Sequence, residues 1–191
     1  MKKILILCFV LFSLFRIKAQ EQKLENEFKI NGVFLPIAIL NFGYERAITE
    51  HWSGQVDLFI SPWNSFAHNY LQTYMGHLEG RYYFNRVFSK WYVGGNVGLG
   101  LFNIQKWNYW NTDKLQRGFN IMVGGVVGYQ FSVSEGWNLD VFLRGGTSQG
   151  FYHGYYIDND NKLKRYDDAK GWNKSGELIP YGGGVMLSYK F

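Results

Sequence analysis

From residue 27 to its last residue, the chain divides into segments of about ten residues in which apolar and polar side chains alternate. A period of two belongs to a strand whose two faces meet different surroundings, and that length lets a tilted strand cross the apolar layer of a bilayer. Eight such strands are read: Glu27 to Leu35, Asn41 to Ile48, Trp52 to Ile60, Gln72 to Phe84, Trp91 to Asn103, Gly118 to Phe131, Trp137 to Ser148, and Ile179 to Phe191. In the seventh, Trp137, Leu139, Val141, Leu143 and Gly145 share one face, while Asn138, Asp140, Phe142 and Arg144 share the other. The third repeats this, with Trp52, Gly54, Val56, Leu58 and Ile60 opposite Ser53, Gln55, Asp57 and Phe59.

The connections separate a membrane barrel from a soluble sandwich. After the second, fourth and sixth strands the turns are short, and the next strand opens each time on a tryptophan: Trp52, Trp91 and Trp137. Strands entering such turns end Tyr-x-Phe, as in Tyr82-Tyr83-Phe84, Tyr129-Gln130-Phe131 and Tyr189-Lys190-Phe191. Indole and phenol rings favour the boundary between lipid tails and headgroups, so Trp52, Trp91, Trp137, Tyr189 and Phe191 are expected to form a periplasmic girdle. The opposite connections, 61–71, 104–117 and 149–178, are longer, apart from the short one around Pro36, and are expected to be extracellular. Both termini are then periplasmic.

The chain begins with Lys2 and Lys3, continues apolar from Ile4 to Phe15 and turns polar before Ala19. This predicts a signal peptide over 1–19, too short to span a bilayer as a helix, and one barrel domain over 20–191. Cys8 lies within the apolar run, so the exported chain has no disulfide or thiol chemistry. Losing the leader removes four bases and leaves 16 against 15 acids, a net charge near +1 in place of +5. The basic balance therefore belongs to the leader and does not argue for nucleic-acid binding. High aromatic content (19%) and 23 glycines fit a membrane barrel better than a soluble globule of this size.

A closed ring of strands satisfies every backbone N-H and C=O inside hydrocarbon, and eight strands enclose a space that side chains can fill. The register sends Lys29, Glu45, Asp57, His77, Glu79, Arg81, Asp140 and Arg144 inward, where interleaved signs are expected to form a mutually neutralising plug.

Tyr189-Lys190-Phe191 resembles the C-terminal signal by which outer-membrane barrels are recognised for assembly, although Met186 stands where glycine is frequent. Phe34-Leu35-Pro36, Gly43-Tyr44-Glu45-Arg46, Phe59-Ile60-Ser61-Pro62-Trp63, Glu79-Gly80-Arg81-Tyr82-Tyr83-Phe84 and Trp172-Asn173-Lys174-Ser175-Gly176-Glu177 are similar to segments of the DUF3575 family. That resemblance covers nearly the whole exported chain. It implies a small outer-membrane barrel and brings no catalytic residues.

Other motifs point less far. The glycine runs 95–100 and 124–128 do not join a strand to a helix, as a dinucleotide fingerprint requires; they are read as room for large inward neighbours. Asp158-Asn159-Asp160 begins like a calcium loop, but Lys162, Leu163 and Ala169 break the pattern, leaving Asp158, Asp160, Asp167 and Asp168 as a weak cation candidate or a solvated loop. Ser61, Ser65 and His68 share a loop near Asp57 and are the candidates for a lipid hydrolase. The aromatics Trp63, Trp107, Trp110, Tyr155 and Trp172 either grip a glycan or protein partner or form an outer girdle.

The expectation is therefore an all-β, eight-stranded antiparallel up-and-down transmembrane barrel with a filled polar interior, preceded by a cleaved leader and located in a bacterial outer membrane. Its role is read as structural or binding, without cofactor or metal. Its partners are membrane lipids, the assembly machinery that reads Phe191, and an extracellular protein or glycan. The alternatives are a lipid-active enzyme and a small pore.

Overall fold

A computed structural model describes residues 25–66, 69–106, 112–157, 162–167 and 169–191. The segment expected as a signal peptide lies outside the described residues. The strands are β1 (Asn26–Asn31), β2 (Leu40–Ala47), β3 (Trp52–Phe66), β4 (Asn69–Tyr83), β5 (Lys90–Ile104), β6 (Lys114–Ser134), β7 (Trp137–Ile157), β8 (Leu163–Arg165) and β9 (Asn173–Lys190). Each strand from β1 to β7 pairs antiparallel with the next, β7 pairs with β9, and β9 returns to β1. Eight strands thus close a ring. The three-residue β8 stands outside it, paired with Tyr155, Tyr156 and Ile157 of β7.

Several strands are longer than the alternation predicts. β6 and β7 each run 21 residues, and most of the expected 149–178 loop is the end of β7, β8 and the start of β9. Backbone ladder bonds need no alternation of side chains, so the strands continue beyond the segments where the sequence alternates. β1 is shorter than expected. Asn31 Oδ1 accepts the Val33 amide at 3.2 Å, turning the chain, and Pro36 opens a 3-10 turn over Leu35–Ile37.

Charged and amide side chains line the interior, whereas the outer wall is apolar: Val56, Leu78, Val97 and Val123 follow one another across β3, β4, β5 and β6 and are all exposed. Between β7 and β9 the register slips at Arg144/Gly145, leaving Tyr181 as an extra residue that turns inward.

At the end carrying the short turns, where β1 begins and β9 ends, the β4–β5 turn folds beneath the ring. The Val87 amide donates to Glu50 O at 2.8 Å, and Val87 and Phe88 are buried with Ala47, Tyr83 and Tyr92. Asn138 Nδ2 donates to Phe88 O. This stopper requires left-handed backbone at Phe88 (φ 64°) and Lys90 (φ 63°).

Candidate functional site

The interior network has two tiers. Nearer the stopper, Lys29 Nζ lies 2.6 Å from Asp140 Oδ2, 2.5 Å from Glu45 Oε2 and 3.4 Å from Glu27 Oε2. Arg81 Nη1 donates to Glu45 (2.8 Å) and Asp140 (2.9 Å), and its Nε to Glu79 (2.5 Å). Neutral donors complete the carboxylates: Tyr83 and Ser53 on Glu45, Tyr92 on Asp140, Gln130 and Asn138 on Glu27. The Arg81 guanidinium also lies 4.4 Å above the Tyr92 ring.

In the upper tier, Arg144 bonds Asp57 with two nitrogens and Glu79 with its Nε at 2.9 Å. Glu79 therefore joins two arginines and links the tiers. His77 Nδ1 lies 3.0 Å from Asp57 Oδ1, and Tyr181 OH donates to Asn96 Oδ1 at 2.7 Å.

All eight charged residues named from the alternation are buried and enclosed by the ring, and Glu27 joins them. Among the described residues, the buried set is five carboxylates to three permanent cations. The expected mutually neutralising set holds four acids to three permanent cations, and Glu27, one step earlier on the same face of β1 as Lys29, raises the acid excess to two. The hydroxyl and amide donors Tyr83, Tyr92, Gln130 and Asn138 share that inward parity and were readable from it. Tyr181 was not, because a bulge breaks the count.

Glycine makes room for this filling at two close approaches. A Cβ on Gly98 would lie 2.3 Å from His77 Cδ2, and one on Gly128 would lie 2.3 Å from the Tyr92 hydroxyl.

The short-turn end carries a belt of exposed and half-buried aromatics in cross-strand pairs. Trp52 and Tyr82, Trp91 and Tyr129, and Trp137 and Tyr189 have ring centroids 5.0 to 5.1 Å apart. Phe191 is exposed beside Tyr189.

At the loop end, Trp172 stacks on His153 at 4.5 Å and meets the edge of Phe119, which stacks on Phe151 at 5.0 Å. Trp63 donates its indole N-H to Ile37 O at 2.8 Å, tying the β1–β2 connection to β3. Tyr155 lies in the β7 ladder between Leu115 and Arg165. Trp107 and Trp110 lie outside the described residues. Phe119 and Phe151 follow the outward parity of β6 and β7, and Trp172, just before β9, packs against Phe119.

Asp167 is a hub that accepts the Gly154 amide at 2.6 Å, Arg165 Nε at 2.6 Å and Asn173 Nδ2 at 3.0 Å. Desolvation acts to raise its pKa, but the Gly154 amide, the Arg165 guanidinium and His153 outweigh it and hold the carboxyl below the usual range. The calcium-like candidates Asp158, Asp160 and Asp168 lie outside the described residues. Ser61 Oγ is buried and donates to Leu71 O at 2.6 Å, so it is not aimed at a base. His68 and the side chain of Ser65 lie outside the described residues.

The model of a family described as a protein of unknown function, DUF3575, matches residues 4–190. The chain belongs to the DUF3575 family. No curated protein matches it. This DUF3575 member is an antiparallel closed ring with a salt-bridged interior.

Proposed function

We propose that this DUF3575 protein is exported by a cleaved leader over residues 1–19 and inserts in a bacterial outer membrane as a non-enzymatic barrel. Its short turns are periplasmic, and its loop end contacts an extracellular protein or glycan. The observation that carries the reading is the reversal of the usual polarity: ion pairs fill the centre, while Leu78, Val97, Leu99 and Leu143 stand exposed on the outer wall. Exposed apolar surface on that scale is tolerated against lipid and not in water. The Trp and Tyr pairs at one rim fit the headgroup boundary, and exposed Phe191 fits recognition by assembly machinery.

A pore is disfavoured by the Phe88 stopper and the packed ion pairs. Of the lipid-hydrolase candidates, Ser61 is committed to Leu71 O and is not available as a nucleophile. The test is gel mobility of heated and unheated protein beside cell fractionation. A heat-dependent shift in outer-membrane fractions supports the reading; a soluble periplasmic protein without a shift overturns it.

A further inference from the structure

Two of the eight staves are short. β1 has six residues and β2 eight, whereas their neighbours β9 and β3 have 18 and 15. β1 pairs with β9 only from Glu27↔Lys190 to Asn31↔Met186, with one further bond from the Gly32 amide to Val185 O at 3.0 Å. Beyond that, β9 continues to Asn173 and pairs with β7 along one edge. Along the other edge, among the described residues, no strand pairs with it; Asn31 Nδ2 donates to Gly183 O at 3.3 Å, and Lys106 Nζ reaches the Glu177 carboxylate at 2.8 Å. The wall is therefore notched above the β1–β2 connection, and the missing width is two strand spacings, about 10 Å.

We propose that the free edge of β9, from Asn173 to Gly184, receives an extended strand of another envelope polypeptide, paired antiparallel to β9. This rests on the membrane reading and adds the kind of partner. A row of unpaired N-H and C=O groups is complemented by another backbone, not by an acyl chain, and within the outer leaflet each group left unsatisfied is strongly destabilising. The side chains beside the edge suit a strand of alternating character. Leu178 is 84% exposed and Ile179 36%, and Val33 and Leu35 project from the sill of the notch. A second copy does not fit. Two barrels inserted in the same direction bring their β9 edges together running the same way, whereas antiparallel pairing of like edges needs a two-fold axis in the membrane plane.

The test uses purified full-length exported chain in detergent micelles, with backbone amide exchange read over residues 173–184. The probe is a soluble peptide of about ten residues, alternating Thr and Val and closed by lysines. Saturating peptide is expected to slow exchange along this edge about tenfold. The same peptide N-methylated at alternate residues is expected to have no effect, and Leu178→Lys is expected to weaken binding. Equal protection by the N-methylated peptide, or none by either, overturns the proposal. Slowing that rises with protein concentration alone assigns the edge to a second copy and overturns it, as does equal slowing by phospholipid nanodiscs without peptide. Gel mobility of the same sample reports separately whether the barrel stands.

Discussion

Tyr181 lies flat on His77, with ring centroids 5.8 Å apart and planes 2° from parallel. The β9 bulge delivers the ring, and its hydroxyl holds Asn96 from the far side of the barrel. Tyr181→Phe keeps the stack and loses one hydrogen bond, an expected cost of about 1 kcal/mol. Tyr181→Ala loses both and is expected to cost about 3 kcal/mol. Urea unfolding in micelles, followed by tryptophan fluorescence, separates the two.

Gly98 and His77 are coupled by space. Gly98→Ala places a methyl inside the imidazole's contact distance and is expected to cost about 2 kcal/mol. In a His77→Ala background the same change is expected to be nearly neutral, giving a coupling above about 1 kcal/mol in a double-mutant cycle. Additive costs contradict the contact.

Arg81 touches Glu45, Glu79 and Asp140 at once. Arg81→Met leaves three buried carboxylates short of a cation and is expected to destabilise by about 3 to 5 kcal/mol. The unheated gel form should then unfold at a lower temperature than wild type.

Lys90 is exposed and held at φ 63°, where a side chain is strained. Lys90→Gly is expected to stabilise by about 1 kcal/mol, because relief of the left-handed conformation exceeds the added freedom of the unfolded chain. An unchanged urea midpoint would contradict this.

The loop-end hub makes a pH prediction. Asp167 is depressed in the folded state, so its contribution is complete above the unfolded Asp value of about 4 and is lost as pH falls through the lower folded value. Exchange of the Gly154 amide is expected to lose its Asp167-dependent protection only below about pH 4, relative to base-line chemical exchange. Asp167→Asn should remove that pH step at every ionic strength.

Much of the ring was legible because alternation reports two environments. Arg81, Asp140 and Arg144 fall on the inward parity by simple counting, and Trp52, Trp91 and Trp137 mark one end of the strands. The upper halves of β7 and β9 were illegible, since Gln149 to Ile157 and Asn173 to Ile179 are paired through backbone and carry no steady alternation. Val87 and Phe88 had a faint signal, two apolar residues inside a polar turn, but nothing in the sequence says that the turn tucks under the ring. The site was legible as a set of charges with one acid more than its permanent cations; Glu27, one further inward step on β1, makes the excess two.

The tucked Val87-Phe88 turn makes the interior a cup, not a pipe. Toward the loop end the inward Phe59, Met75, Asn120 and Tyr181 are half-buried among the buried Ser61, Gln116 and Ser148, whereas the residues by the stopper are sealed. Whatever water or solute reaches Arg144 must leave by the mouth through which it came. In the proposed membrane such a vessel would equilibrate with the loop side only, so its buried charges would answer to the salt and acidity of that side and stay indifferent to the other.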